Sequence, residues 1–587
     1  MLTFYSLIRL ERLKLLILIA LYVGLVPQSV AQLEADDPVN LQLMTNDWPE
    51  LAYASYWGGA DDDDEAENMI IDSQGNIIIA GQTKSNDLPV TDGAFQSTEA
   101  GLRDAFVAKF APDYSLIWAT YLGGDSAEYA YGLSVDLLDN IYVCGTTESF
   151  NFPVLNAYQD TLYDDVDGFI SKFQPDGTLE WSTYFGGNDD DYMSGITVDS
   201  QGRVYVTGET DSDEFPVSPD AMQTEYLAEN KMCIVARFSS DGQMIWSTYF
   251  GGSTEENGGD VIVDGNDDVL VIGEAYSVDC PLSTGFFQDE IAGSDDALLL
   301  KMDSLGNMIF ATVIGGTGDD DGRKVGVDSE NNIYIIGDIA STDFPTTNGA
   351  FQSTNGGLHD AFVTKFGNDG QLIWSTYVGG VGDEFVYGIG VNEDGLVYVY
   401  GETASVDFPL TPEAIQSAMS TADDAFITTF DEVGDVLWST YFGGDDDDDA
   451  AELRFHDNKL YTVGTMESTD MVTTDDAIQE HAGWEDVYLA VFEYEVADYI
   501  PVQPQHSFIL YPQPADNQIT VEYSGEKTWN DVRFEMFNSA GMMVLSESLF
   551  SHSGQYTLNL ADLPGGYYRL NIRSEGDHVC TKAVLVK

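Results

Sequence analysis

Basic residues are scarce in this chain. Against 101 aspartates and glutamates stand 22 lysines and arginines, a formal net charge of −79 over 587 residues. A surface of that sign repels nucleic acid and anionic lipid and attracts cations and cationic partners, so no nucleic-acid partner is expected. Histidine is nearly absent, and of its six copies His506, His552 and His578 lie beyond residue 500. The four cysteines, Cys144, Cys233, Cys280 and Cys580, show no CxxC spacing and read as unpaired thiols in apolar positions. G-x-S-x-G, H-E-x-x-H and phosphate-binding glycine loops are all missing, which removes the common hydrolase, zinc-protease and nucleotide classes. Leu15 to Val26 is the one long apolar run, and its 12 residues are too few to span a bilayer. Arg9, Arg12 and Lys14 precede it and Ser29-Val30-Ala31 follows it. Residues 1–31 therefore read as a secretory signal, with 32–50 as a lead-in and no transmembrane span in the remainder.

What the chain has in quantity is glycine, 57 residues, and aromatics, 12%. They are ordered. A Gly-Gly pair, usually closing W-S-T-Y-F-G-G, begins at residues 58, 123, 186, 251, 315, 379 and 443, in steps of 63 to 65. A fixed period of this length marks stacked repeats that bury their apolar faces against one another. Within one unit, Gly195–Asp199, Arg203–Gly208, Cys233–Phe238 and Met244–Phe250 read as strands divided by Gly/Asp turns and one long loop. Four antiparallel strands repeated seven times predict an all-β fold, a seven-bladed β-propeller over 51–495.

The ends of the repeat array predict its closure. Only a fourth strand, Leu51–Trp57, precedes the first Gly-Gly, and only three strands follow the last. Leu51–Trp57 should complete the last blade beside Val487–Phe492, leaving no open edge at the seam. Strand alternation then puts the short turns on one face. The long loops and acidic Gly-Gly links share the other, where function is expected. The pattern of W-S-T-Y-F-G-G, G-I-x-V-D, N-I-Y-V-x-G and D-F-P resembles the SBBP family of bacterial β-propeller repeats, a likeness specific for fold and silent on activity.

Residues 496–507 read as a linker, and 508–587 as a small β-sandwich with nine acidic and six basic residues. Almost all the negative charge therefore lies on the propeller. This module resembles the C-terminal sorting domain of the type IX secretion system of Bacteroidetes. The matching segments are Leu510-Tyr511-Pro512-Gln513-Pro514-Ala515, Phe537-Asn538-Ser539-Ala540-Gly541, Leu563-Pro564-Gly565-Gly566-Tyr567-Tyr568 and the terminal Lys582–Lys587. Gln513 stands where the family usually has Asn. The resemblance implies partnership with the type IX machinery, export through the outer membrane, removal of the module and anchoring to surface lipopolysaccharide.

Counting from the second glycine, position four is acidic in every repeat: Asp63, Glu128, Asp191, Glu256, Asp320, Glu384 and Asp448. The first copy carries one extra residue, which makes Asp64 an alternative equivalent. Such an acid can accept backbone N–H bonds and order the link. The richest tracts also offer hard oxygens for Ca²⁺. The candidate metal ligands are Asp61, Asp62, Asp63, Asp64, Asp189, Asp190, Asp191, Asp319, Asp320, Asp321, Asp445, Asp446, Asp447, Asp448 and Asp449. Asp72, Asp136, Asp199, Asp264 and Asp328, with Asn392 and His456 in the other copies, should cap a turn. Gln96, Gln159, Gln223, Gln288, Gln352, Gln416 and Gln479 should satisfy loop backbone, and Trp118, Trp181, Trp246, Trp374 and Trp438 should pack between blades. No catalytic residue stands out.

Three functional classes fit this pattern. The first is a secreted, surface-anchored, monomeric and non-catalytic propeller that binds a glycan, a protein or calcium-bridged material through its acidic loop face. The second is a carbohydrate-active hydrolase or lyase with a site at the channel mouth. The third is a structural adhesin or surface-layer component. Near-equal repeats, with no outlying insertion and no distinctive acid–base cluster, favour binding.

Overall fold

The computed structural model describes residues 48–494 except 61, 393–394, 421 and 482. Beyond them it describes residues 507–511, 518–524, 529–538, 543–552, 555–560, 563, 566–574 and 577–586. Residues 1–31, read above as a signal, nearly all of the expected lead-in, residues 496–506 and much of the sorting landmarks lie outside the described residues. All described elements are strands, in two separate units, 46–495 and the C-terminal module.

Residues 46–495 form seven four-stranded antiparallel sheets. Blade one consists of Asp64–Ile71, Ile77–Thr83, Asp104–Phe110 and Leu116–Leu122. The first strands of successive blades touch one another round the ring, blade seven against blade one included, and so line the axis. Blade seven is Asp448–His456, Lys459–Met466 and Asp486–Glu493, and its fourth strand is Glu50–Trp57. That strand runs antiparallel to the third, with Trp57 opposite Val487 and Leu51 opposite Phe492. The closure expected from the strand count is the one observed.

The sequence explains the stacking. Second and third strands are buried along nearly their whole length because neighbouring blades cover both faces. The strand-four tryptophan reaches into the next blade. There its indole N–H donates to the carbonyl of the turn between strands three and four: Trp118 to Pro175, Trp181 to Ser240, Trp246 to Ser304 and Trp374 to Glu432. Trp438 bonds Glu413 of its own blade instead. Blade seven takes its fourth strand from the N-terminal end of the array and so has no such turn to offer. Short turns are held as expected: Asp72 accepts the N–H of Gln74 and of Asn76. Its other oxygen meets buried Lys109 at 2.8 Å, and Lys301–Asp264 and Lys365–Asp328 repeat that pair at 2.8 and 3.2 Å.

The C-terminal module has a three-stranded sheet (Ser507–Tyr511, Gln518–Ser524, Gln555–Asn559). It also has a four-stranded sheet (Met543–His552, Trp529–Asn538, Gly566–Ser574, Asp577–Val586). Phe534 of one stacks on Tyr556 of the other at 5.2 Å, as in a sandwich.

The closing strand buries Tyr53, Tyr56 and Trp57, each contributing roughly 1.5–3 kcal/mol. Deleting residues 50–57 is expected to lower the melting temperature and to drive self-association through the bared edge of Asp486–Glu493. Calorimetry and size-exclusion chromatography check this, and unchanged melting and elution would refute closure.

Candidate functional site

The acid of each Gly-Gly link is the first residue of the inner strand, not a loop residue, and it is fully buried. In blade one that residue is Asp64. It accepts the N–H of Gly59 at 2.5 Å and the hydroxyls of Thr83 and Ser85. Glu128, Asp191, Glu256, Asp320, Glu384 and Asp448 repeat the bond to the second glycine. A second buried carboxylate, not singled out from the sequence, opens the third strand: Asp104, Asp167, Asp296, Asp360, Asp424 and Asp486, with Met232 in blade three. The recurrent glutamine joins the parts. Gln96 donates to Asp104 at 2.7 Å and accepts the N–H of Gly123 at 3.0 Å. The reason for the first glycine follows: a Cβ on Gly123 would lie 2.5 Å from both Asp104 Oδ1 and Glu128 Oε2.

This frame surrounds an axial channel. Every inner strand carries a register shift at one position, and the residue skipped there is Glu67, Tyr131, Ser194, Gly259, Arg323, Tyr387 or Ala451. A β-bulge leaves one residue unpaired and re-aims its side chain. All seven line one cavity of about 520 Å³ at the loop-bearing end of the axis. Below it lies a second chamber of about 320 Å³, lined by aliphatic residues together with Asp260, Lys324, Glu452 and Arg454. Ser194 and Lys324 border both. Lys324 of blade five reaches Glu452 of blade seven at 3.4 Å, so an ion pair crosses the axis between the chambers.

The upper cavity is electrically lopsided. Arg103 holds Glu65 at 2.8 Å and lies over the Tyr129 ring, and Lys231 pairs with Glu209 over Tyr192. Arg323 is saturated by Asp321 and Asp338 at 2.7 Å each and by Glu274 at 3.5 Å. Blades six, seven and one differ. Among the described residues, no lysine or arginine comes within ion-pair distance of Glu67, Glu402, Asp449 or Glu485. Burial, reinforced by Asp449, pushes Glu402 up to about 9. Burial, then Asp63, lifts Glu485 to about 7, and burial with Glu467 lifts Asp449 to about 6. Of these lining residues only Asp449 was singled out from the sequence, as a metal-ligand candidate; Glu67, Glu402 and Glu485 were missed. The signal that could have found them is self-comparison: at the bulge the seven repeats carry Glu, Tyr, Ser, Gly, Arg, Tyr and Ala within an otherwise uniform frame.

The acidic tracts divide by depth. Asp64, Asp191, Asp320 and Asp448 are buried in the frame. Asp62, Asp189 and Asp190 lie on the loop face, as do Asp319 and Asp445–Asp447. Asp449 and Asp321 line or border the cavity, Asp63 pairs with Lys84, and Asp61 lies outside the described residues. Two groups bring three carboxylates within 4.8 Å of one another: Asp63, Glu65 and Glu485, and Asp446, Asp447 and Glu467. Cys144, Cys233 and Cys280 are free thiols.

Comparison with known proteins agrees with this architecture. Residues 117–153, 180–216 and 303–345 match the SBBP beta-propeller repeat family, and residues 509–587 match the secretion system C-terminal sorting domain. The chain is a propeller of SBBP repeats with a C-terminal sorting domain. It is exported by the type IX system to the cell surface or extracellular space. An uncharacterized WD repeat-containing protein of Acanthamoeba polyphaga mimivirus is 21% identical over 456 residues, 63% of this chain and 32% of that protein. Regulatory protein FlaEY of Caulobacter vibrioides is 25% identical over 183 residues, 30% of this chain and 19% of that protein. The chain thus spans a third or less of either relative. Among solved structures, a DUF4221 family member from Bacteroides vulgatus has 8% identity and a TM-score of 0.32, covering 77% of this chain and 99% of that one. Synechocystis apocarotenoid oxygenase has 9% identity and a TM-score of 0.30, covering 76% and 89%. Among the described residues no helix is long and apolar enough to cross a membrane.

Burial lifts the frame acids: Asp64 to about 6, Asp104, Asp167, Glu384 and Asp448 to about 7, and Asp191 to about 8. Unfolded carboxylates titrate near 4. Between these values the folded state holds more protons, so this stability is fully present below about pH 4 and is lost as pH rises from there through about 6 to 8. Asp72, Asp328 and Asp343 are held low by their bonds and oppose this only in stronger acid. The melting temperature is expected to be higher at pH 5.5 than at pH 8.5 at equal ionic strength, and Asp191→Asn should narrow the gap. A flat or rising profile would contradict it.

Proposed function

We propose that the propeller is a non-catalytic binding module displayed outside the cell, its ligand taken at the upper axial cavity and the acidic loops around it. One observation carries this reading: seven bulge residues of six different types converge on one cavity while the frame behind them repeats. Repetition serves the fold, and divergence confined to a concave lining is what a binding site needs. The direct test is calorimetric titration of the full chain with glycans and with peptides, comparing wild type with Tyr131→Ala/Tyr387→Ala. Binding that weakens about tenfold or more supports the reading, by the scale of hot-spot truncation; binding unaffected by the pair places the site elsewhere.

A second reading rests on Glu402, which burial and the neighbouring Asp449 push up to about 9. An acid and a base of that kind suit glycoside hydrolysis. Turnover of a polysaccharide that Glu402→Gln abolishes would establish it.

Calcium belongs to the same proposal as a bridge or a stabiliser. The exposed trio Asp446, Asp447 and Glu467 is the favoured place, because these carboxylates face solvent and the neighbouring Asp448 is committed to Gly444. Millimolar calcium is expected to raise the melting temperature more than equal magnesium, since flexible many-oxygen sites prefer the larger ion. Asp446→Asn/Asp447→Asn/Glu467→Gln should erase the difference. Equal shifts from calcium, magnesium and sodium at matched ionic strength would leave only screening.

A further inference from the structure

The cavity's charge and its rim together narrow the ligand. Its lining includes seven carboxylates, and its two cations, Arg323 and Lys324, are already paired within the wall. Glu402, Asp449, Glu485 and Glu67 have no cation of their own, and three of these four stand on adjoining blades six and seven. Low-dielectric walls focus the field of such a cluster into the opening. An anionic ligand is therefore repelled, and a neutral one leaves the carboxylates uncompensated. A metal ion is a poor match, because about 520 Å³ is far more than an ion fills. The close trio found at this mouth among the described residues, Asp63, Glu65 and Glu485, is also partly neutralised by Lys84 and Arg103. An elongated organic cation fits, its stem against Tyr131 and Tyr387 and its charged head at Asp449 and Glu402, the Glu402 carboxyl giving up its proton to solvent as the cation takes its place.

A second, independent feature concerns the rim. Two residues before the aspartate that opens the third strand, blades one, five and seven carry Leu102, Leu358 and Trp484, which are 74%, 68% and 79% exposed. Trp484 directly precedes the cavity residue Glu485. Large apolar side chains standing in water beside an acidic opening mark an interaction surface. Their partner must offer apolar groups flanked by positive charge.

We propose that the upper cavity takes a lysine or arginine side chain presented by a basic protein segment, and that Trp484, Leu102 and Leu358 hold the apolar residues flanking it. This rests on the binding reading above and names its partner class: a cationic, partly apolar polypeptide, not a glycan and not a divalent ion.

Calorimetry on the full chain tests it with four probes. These are an end-blocked peptide of alternating leucine and lysine, the same peptide acetylated at every Nζ, neutral cellohexaose, and calcium chloride. The lysine peptide is expected to bind and to weaken with added salt, and the acetylated form is expected to lose binding. Glu402→Gln/Asp449→Asn, which keeps the acceptor for the Ala450 N–H, should weaken the peptide at least about tenfold, as loss of a desolvated charge pair does. Trp484→Ala, a surface change that leaves the frame untouched, should also weaken it about tenfold, the scale of an aromatic anchor. Glu330→Gln/Asp435→Asn on the opposite face should change nothing. Equal losses from the opposite-face and cavity variants, or equal binding of the acetylated peptide, would overturn the proposal. If cellohexaose or calcium binds instead and the cavity variant abolishes that binding, the partner class falls while the binding reading stands. If none of the four probes binds, both fall.

Discussion

Six of the seven junctions between blades are built around two carboxylates that flank one glycine; at the seventh, Met232 replaces the aspartate. The acid opening the inner strand comes from one blade and the aspartate opening the third strand from the blade before it, and at Gly58, Gly123, Gly186 and Gly379 a side chain on the glycine between them would collide with both. Putting two ionisable groups out of water is unfavourable unless hydrogen bonds compensate. The compensation recurs round the ring: a glycine N–H, threonine and serine hydroxyls, and the glutamine amide. Those donors come from the long loop, the second strand and the link, so the junction ties together every part of a blade that is not already in a ladder. Gly-Gly, the loop serine and the loop glutamine can be understood as one requirement.

With the frame so constrained, variation has few places to go. The bulge residue takes no part in the ladder, so its side chain can change from Glu to Tyr to Gly without disturbing a strand. Seven such positions face the axis, and the ion pair from Lys324 to Glu452 closes the floor beneath them. Chemistry at the mouth is thereby separated from the lower chamber.

Much of the architecture was readable in the residues. The period, the four strands, the closing strand at Leu51–Trp57, the turn-capping role of Asp72 and the interblade tryptophans all express local patterns that stacking reinforces. The cavity was not readable in the same way. The inner strand was expected to begin at Gly195, but it begins at Asp191, because the bulge at Ser194 breaks the alternation by which a strand is recognised. Half of each lining strand was therefore counted as acidic loop. Asp104 and its equivalents were lost among 101 acids, where no single carboxylate stands out until its burial is known. Lys109, Lys301 and Lys365, which neutralise the turn aspartates from the third strand, sit far from them in sequence. The meeting of Lys324 with Glu452 skips a whole blade and leaves no local trace.

The closing strand also sets an order of events. Glu50–Trp57 is the first strand of the array to be made, yet its partner, Asp486–Glu493, is the last, and the hydrogen bonds that join the two sides of the seam span more than 400 residues. The entropy of closing such a loop grows only slowly with its length, so the thermodynamic handicap is modest. The temporal one is large. Throughout synthesis, and again during any passage through a membrane in an extended form, Tyr53, Tyr56 and Trp57 wait as an unpaired, aromatic, β-prone segment while six blades assemble behind them. A chain interrupted anywhere before residue 493 holds one strand too many and one edge too few, and it can pair only with another copy of itself. The ring is therefore a proofreading device for its own completeness: only a chain made to the end can hide its beginning.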